Sequence, residues 1–368
     1  METTTMHGPN NLRILQNAED PPSPERQLPN PLFEPCILSR RIFPNQEGVG
    51  PEEREMIVET RSGRTWMFER MIREAIYGEV WRAVEVDIID DRYVTQYDEE
   101  GRTRRVAVKR MPRELINRLR GRHAEDPMKE IAALALVSDP GHPNVLRQEA
   151  TLDDGRVVYL VTRFVDGGEL FDWVLVERGA YYNGATDTVR QLFRQLVQGM
   201  QYSHSKGICH ADISLENALV DNAKENAFII DYGMSLLMPI DREYRRLKSV
   251  PDRRRAKTSY RCPEVYKNSA YDGVKVDVFA GGAMLFMMLT GYPTFNAATR
   301  LDSRFKKLVW KGQVERVIRA DGLRLVGDQA EDLRQAADLM KQMMAYKPKN
   351  RPLPEQVLNH PWLAPRTP

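Results

Sequence analysis

The apolar residues of this chain change their period once, near residue 165, and that change constrains the fold more than any other feature. Before it, short runs rich in β-branched and aromatic residues at 66–72, 79–86, 105–110 and 157–164 read as strands. One helix interrupts them: Asp126 suits its cap, Pro127 its first position, and SerAspProGly at 138–141 its stop. After 165–168 (ValAspGlyGly), Val189, Leu192, Phe193, Leu196, Val197 and Met200 fall at i, i+3, i+4, i+7, i+8 and i+11, the spacing of an amphipathic helix. Residues 278–289 are apolar all round, as a helix at the centre of a domain must be, and 332–344 forms a further amphipathic stretch. Strands followed by helices imply an α+β fold. The expectation is a small, mostly antiparallel sheet lobe with one main helix at 61–162, a hinge at 163–168 and a larger, mostly helical lobe at 169–364. A cleft between the lobes is the expected site.

The first 60 residues are different material. ProProSerPro at 21–24 and the prolines at 29, 31, 35 and 44 break any period, so 1–60 reads as a Pro-rich tail, disordered or extended. The other residues carry an ordinary globular composition, within totals of 42% hydrophobic and 29% charged. With 54 Lys+Arg against 52 Asp+Glu, the whole molecule offers no field for nucleic acid or an anionic membrane, and neither partner is expected. Cys36, Cys209 and Cys262 form no CxxC pair, the N-terminus lacks the apolar run of a signal peptide, and 278–289 is short for a bilayer. A cytoplasmic protein is expected. ArgArgArgAlaLys at 253–257 has the composition of a nuclear-localisation patch, placed within a folded lobe.

Chemistry-bearing residues follow one another in a definite order. Residues 72–80 join two strands by a tight turn that needs Gly78, and ValAlaValLys at 106–109 puts Lys109 on an inward-pointing strand position with Glu130 on the following helix. HisAlaAspIleSerLeuGluAsn at 210–217, AspTyrGly at 231–233, SerTyrArgCysProGlu at 259–264, Asp277 and Asn350-Arg351-Pro352 come next. A lysine on a strand is usually a solvated charge, and an aspartate in a turn usually bonds its own backbone. Their mutual order gives these residues another meaning. The six histidines show no metal-ligand spacing, and His210 reads as a packed core residue.

From about 66 to 363 the sequence resembles the eukaryotic protein kinase family, serine/threonine type, nearest the calcium/calmodulin-dependent group. ValAlaValLys resembles V-A-I-K, HisAlaAsp…Asn the H-R-D-x-x-x-x-N loop, AspTyrGly the D-F-G motif, and CysProGlu stands where A-P-E is expected. HisProAsnVal (142–145), GlyGlyGluLeuPhe (167–171) and HisProTrpLeu (360–363) are further matches. The resemblance implies a two-lobed kinase fold that transfers a phosphoryl group from ATP, with Mg²⁺, to serine or threonine hydroxyls of a protein substrate. It makes Asp212 the catalytic aspartate, accepting the hydroxyl proton or orienting that hydroxyl, and pairs Lys109 with both Glu130 and the α/β-phosphates. Asn217 and Asp231 become the hard oxygen ligands of Mg²⁺. Ile72, Gly78, Val80, Ala107, Thr162, Phe164, Val165 and Leu219 line the nucleotide, with Thr162 as gatekeeper and 164–165 as hinge backbone; Glu169 meets the ribose or a basic substrate residue.

Several positions depart from that family. The glycine-rich loop reads Arg73, Ala75, Gly78 where three glycines are the pattern. Ala211 replaces the arginine that pairs with a phosphorylated activation loop, so activity independent of loop phosphorylation is expected. Ser214 replaces the lysine two residues past the catalytic aspartate, and the tyrosine-kinase alternative four residues past it is Glu216. Losing one such donor typically costs about 2.7–4 kcal/mol of barrier; the serine hydroxyl or a nearby base such as Lys257 is placed to recover part of it. The family's Thr-x-x-Tyr leaves Lys257 and Thr258 as alternatives for the threonine, and Gln148 falls where an apolar residue packs behind the main helix. Arg242, Arg245, Arg246, Lys248, Arg253, Arg254, Arg255 and Lys257 make the activation segment basic, a docking surface for an acidic partner. Glu264 and Arg351 are the family's bracing pair. The alternative to an active kinase is a slow or inactive pseudokinase that acts as a nucleotide-binding scaffold or allosteric partner.

Overall fold

The computed structural model describes residues 13–14, 27–43, 52–180, 184–238, 245–246, 257–266, 271–322 and 327–364. The chain divides into one unit of residues 29–138 and 146–164 and another of 1–28, 139–145 and 165–368, and it passes from the first to the second between Phe164 and Val165.

The first unit is built on eight strands: β1 Glu34–Phe43, β2 Glu52–Glu59, β3 Thr65–Ala75, β4 Gly78–Ile89, β5 Arg92–Thr95, β6 Arg105–Pro112, β7 Gln148–Asp153 and β8 Val157–Arg163. Their order is β3-β2-β1-β7-β8-β6-β4-β5, and β4 also pairs with β3. Seven strands therefore close into a ring, with β5 hanging on β4. The closing seam is short and parallel, Glu34 against Leu152 and Pro35 against Asp153. Inside lie Cys36, Ile57, Trp66, Phe68, Ala83, Val106, Val108, Leu152, Tyr159 and Val161, at least one from each of the seven strands. Closure removes the open edges that a sheet must otherwise protect.

The expected tail boundary at residue 60 therefore moves back to about Pro29. Residues 34–43 and 52–59 are sheet strands, and the sequence hides them for a physical reason. Only Cys36 and Phe43 of β1 are buried, among exposed positions that include Arg40 and Arg41, so no alternation of apolar and polar residues marks the strand. Partner strands supply the order that the local pattern lacks. Residues 1–12, 15–26 and 44–51, with ProProSerPro among them, lie outside the described residues.

The ring also decides which way Lys109 faces. Val106 and Val108 point into the barrel, so Ala107 and Lys109 take the opposite face, and the inward position expected for Lys109 is corrected to the barrel's outer face. That is where α2, Pro127–Ser138, which follows the short helix α1, Arg113–Leu119, presents Glu130; Asp126 caps α2 by accepting from the Met128 amide at 2.9 Å. Gly78 opens β4 at φ +145°, directly opposite Ala75. A Cβ there would sit 2.0 Å from the Arg110 carbonyl oxygen, so no other residue fits.

The second unit contains the helices α3 Leu170–Glu177, α4 Thr186–Ser205, α5 Gly273–Thr290 and α6 Gly327–Met343, and a small hairpin of β9 Ala218–Val220 and β10 Ala227–Ile229. The apolar positions named for α4 are all buried, the result of their helical spacing. Helix α5 starts earlier than its apolar core, at the Asp272 cap. By length and composition it could cross a membrane, but 94% of it is buried inside this unit, so its apolar surface is used as core.

Candidate functional site

Asp277, fully buried in α5, is the anchor from which the second unit's site is built. Its Oδ1 accepts from the Ala211 amide at 2.8 Å, and its Oδ2 accepts from the His210 amide at 2.9 Å and contacts His204 Nε2 at 2.8 Å. Burial opposes its charge, but His204 and these amides win, and its carboxyl lies below the usual range. The chain at 210–212 is thereby fixed to the core helix. Ala211 is held at φ +62°, a left-handed conformation that is strained for alanine and persists because both flanking amides are tied down. His210 is buried with Nε2 against the Ile230 carbonyl at 2.9 Å and its other ring nitrogen accepting from the Asp212 amide at 3.3 Å, a packed residue as its sequence context suggests.

Asp212 emerges from this anchor almost wholly buried. Asn217 Nδ2 donates to its Oδ2 at 2.7 Å and to its carbonyl at 2.8 Å, while Oδ1 is buried with no hydrogen-bond partner among the described residues. Burial pushes the carboxyl above its ordinary range, with the charge of Lys257 pulling it partly back. With no donor to it among the described residues, Oδ1 is left with its capacity to accept a hydrogen bond unused.

The β9–β10 hairpin brings the next pair to one end. Ala218 pairs with Ile229 and the Ile230 amide donates to the Asn217 carbonyl at 3.0 Å, so Asn217 and Asp231 flank the same end of the hairpin. Asn217 spends its side-chain nitrogen on Asp212, so its side-chain oxygen is not the atom that holds Asp212. Asp231 sits at φ +62°, with one oxygen accepting from the Gly233 amide at 3.2 Å. Among the described residues no three His, Cys, Asp or Glu gather as a metal cage. One carboxylate and one amide oxygen nonetheless fit a hard cation that completes its shell with water and phosphate oxygens.

The remaining expected residues divide between the units. In the barrel unit, Lys109 Nζ meets Glu130 Oε2 at 2.6 Å, both largely buried. Val80 lies opposite Lys109, and Ala107 lies opposite Thr162, whose hydroxyl donates to the Ala107 carbonyl at 3.4 Å. The Phe164 amide donates to the Arg105 carbonyl at 3.3 Å, and Ile72 is exposed. In the second unit, Glu169 bridges to Leu219, two residues past Asn217, and Val165 is buried.

The departures also find places. Arg73 is exposed. Gln148 keeps a buried Oε1 without a partner among the described residues. Lys257, not Thr258, comes to the loop of residues 210–217: its Nζ donates to Ser214 Oγ at 2.8 Å and lies 3.6 Å from Glu216 Oε2. Glu216 also accepts from the Tyr260 hydroxyl at 3.2 Å, so its charge is already engaged. Of the basic activation segment, residues 242, 248 and 253–255 lie outside the described residues. Arg351 is fully buried, donating to Glu264 Oε2 at 2.8 Å, to the Ala345 carbonyl at 2.8 Å and to the Lys275 carbonyl at 2.8 Å.

One residue was missed. Tyr77, at the tip of the β3–β4 hairpin, is buried in the barrel unit and its hydroxyl donates to the Glu125 carbonyl at 2.8 Å, just ahead of α2. An aromatic residue immediately before the obligatory Gly78 was the available signal.

Residues 93–363 match the family model described as protein kinase domain; the match begins beyond the β3–β4 hairpin. "Calcium-dependent protein kinase 14" of Arabidopsis thaliana is 31% identical over 241 residues, covering 65% of this chain and 41% of the relative. "Calcium-dependent protein kinase 20" of Oryza sativa subsp. japonica is 33% identical over 243 residues, covering 65% and 39%. The chain thus spans about two fifths of the length of these curated relatives.

Proposed function

This chain belongs to the protein kinase family, and from that premise we propose that it is an active enzyme transferring the γ-phosphoryl group of ATP to serine or threonine hydroxyls of protein substrates. The observation that carries the reading is Asp212: a buried carboxylate, oriented through one oxygen by Asn217, with its other oxygen left without a donor among the described residues. A hydroxyl arriving at Oδ1 would be oriented there and would give up its proton to a carboxyl whose affinity for protons burial has already raised.

The other roles follow from the chemistry of each side chain. Lys109, held by Glu130, is the cation for the α/β-phosphates. Asn217 and Asp231 hold Mg²⁺, which when bound neutralises charge on the phosphates. Ile72, Val80, Ala107 and Leu219 give apolar surface to the adenine, Thr162 limits its depth, the backbone at Phe164 and Val165 meets its edge, and Glu169 meets the ribose or a basic side chain of the substrate. The basic residues from Arg242 to Lys257 are a docking site for acidic sequence on a partner.

Ser214, Arg73 and Ala75 favour the second reading, a nucleotide-binding scaffold without transfer. Mg²⁺-dependent ATP binding and radiolabel transfer, measured for the wild type and for Asp212→Asn, separate the two. Transfer by the wild type that Asp212→Asn abolishes is expected; binding without transfer refutes the enzyme.

A further inference from the structure

The kinase pattern places a lysine two residues past the catalytic aspartate and a threonine three residues before the tyrosine of Thr-x-x-Tyr. Counted on this chain, those positions are 214 and 257, and they carry Ser214 and Lys257. The hydroxyl and the ammonium have changed places. The structure brings them together all the same, Lys257 Nζ donating to Ser214 Oγ at 2.8 Å across 43 residues of sequence.

Three further contacts fix this ammonium beside the catalytic aspartate. Glu216 Oε2 lies 3.6 Å from Nζ and offsets part of its charge. The Tyr260 hydroxyl donates to the same Glu216 oxygen at 3.2 Å and accepts from the Leu215 amide at 3.3 Å, so the segment that delivers Lys257 is tied to the catalytic loop at the two residues that follow Ser214. Lys257 is also the strongest of the charges that stabilise ionised Asp212. Its side chain remains 39% exposed, which leaves room for an anionic ligand to compete with Glu216.

We propose that Lys257 is a catalytic residue: it supplies to the transferring phosphoryl group the ammonium that the catalytic loop lost at Ser214, with Ser214 as its positioning partner. In the step, the substrate hydroxyl oxygen bonds to the γ-phosphorus as the bond from that phosphorus to the β–γ bridging oxygen breaks. The hydroxyl proton passes to Asp212, the bridging oxygen leaves on ADP, and Lys257 keeps its protons while offsetting the charge that builds on the phosphoryl oxygens. The assignment rests on the kinase reading for its rate effect, but the recognition of a γ-phosphate by Lys257 does not need turnover.

The test uses the full chain and three variants: Lys257→Thr, Lys257→Arg and the exchange Ser214→Lys/Lys257→Thr. Radiolabel transfer and the affinities for MgATP and MgADP are measured on each. Lys257→Thr is expected to lower kcat about 10²–10³-fold and to weaken MgATP at least fivefold while leaving MgADP within twofold; unchanged MgADP binding also shows that the variant is folded. Lys257→Arg keeps the preference for MgATP, and the exchange recovers at least tenfold of the lost rate. If the wild type transfers nothing, the kinase reading falls, and the ratio of MgATP to MgADP affinity still decides the role of Lys257. A Lys257→Thr variant that keeps that ratio, with its rate within threefold of wild type wherever the wild type turns over, overturns the proposal.

Discussion

Replacing Ile57 by alanine separates a barrel strand from an appended arm. Ile57 is fully buried against Trp66, its register partner on β3, within the ring's interior. Alanine removes three carbons, and at about 0.8 kcal/mol per buried carbon the transfer loss is about 2.4 kcal/mol. A closed barrel has little freedom to collapse around the space left, so the cavity raises the cost to about 3–4 kcal/mol. Ile37 is the internal control: it lies on β1 opposite Val58 and is 59% exposed. The same substitution there costs within about 0.5 kcal/mol. Urea unfolding of the full chain, followed by circular dichroism and tryptophan fluorescence, gives both midpoints against wild type. The barrel requires a large drop for Ile57→Ala and almost none for Ile37→Ala. Two variants that both unfold with the wild type, or both fall equally, would refute a sheet closed by the strands at 34–43 and 52–59.

Four other outcomes are expected. Arg351→Met strands the buried Glu264 carboxylate and costs about 3–5 kcal/mol in denaturant unfolding; a cost under 1 kcal/mol would show that the pair does not brace this unit. Asp212→Asn loses transfer but melts at higher temperature than wild type near neutral pH. The sign follows from linkage: with Asp212's folded pKa raised, the folded state holds its proton longer than the unfolded chain, so wild-type stability falls as pH rises from the ordinary carboxylate range, about 4, through the raised value. The melting difference should therefore vanish in acid, and a constant difference across pH would contradict the buried charge. Gly78→Ala places a methyl against the Arg110 carbonyl and loses at least about 1–3 kcal/mol, read by thermal melting together with weakened ATP binding. Stoichiometric phosphorylation within 240–260 leaves kcat within threefold of the unmodified protein, because Ala211 offers no guanidinium to a phosphate; a many-fold rise measured on purified phosphoforms would overturn this.

Much of the fold was legible because its strongest signals are local. Asp126-Pro127 begins α2 through a side-chain cap and a residue that needs no amide donor, and both effects act within a few residues. The all-round apolarity of 278–289 could only belong to a buried helix. The barrel was not legible, for the opposite reason. Its closing seam rests on two register pairs between residues more than 100 apart, Glu34 with Leu152 and Pro35 with Asp153. The strands it recruits carry charges such as Arg40, Glu53 and Glu55, which pair along the surface, as Arg40 does with Glu55 at 3.0 Å, and mask the few anchors that face inward. The same ring reverses the face expected of Lys109. Alternation along β6 shows that Val106 and Val108 differ in side from Ala107 and Lys109, but not which side is the interior.

The candidate site divides along the same line between local and non-local order. Asp212 and Asn217 are five residues apart on one loop, and the hydrogen bond between them follows from that spacing once Asp277 has pinned the loop. Asp231 reaches the same end because β9 and β10 form a tight hairpin. Lys109 and Glu130 are 21 residues apart, but a strand and the helix after it are close enough for their ion pair to be inferred. The question that sequence left open was which side chain meets Ser214: a count back from Tyr260 reaches Lys257, but counting does not say that this lysine touches the serine. The decision needed the path of the segment before Tyr260. That path is set by Tyr260 itself, buried with its hydroxyl between the Leu215 amide and Glu216, which puts the residue three earlier beside Ser214. Burial pushes the Asp212 carboxyl above its ordinary range; the ammonium delivered along this path opposes that shift at the same place where phosphoryl transfer needs positive charge. A chain that had simply decayed at position 214 would have no reason to keep a lysine in contact with the serine that replaced one.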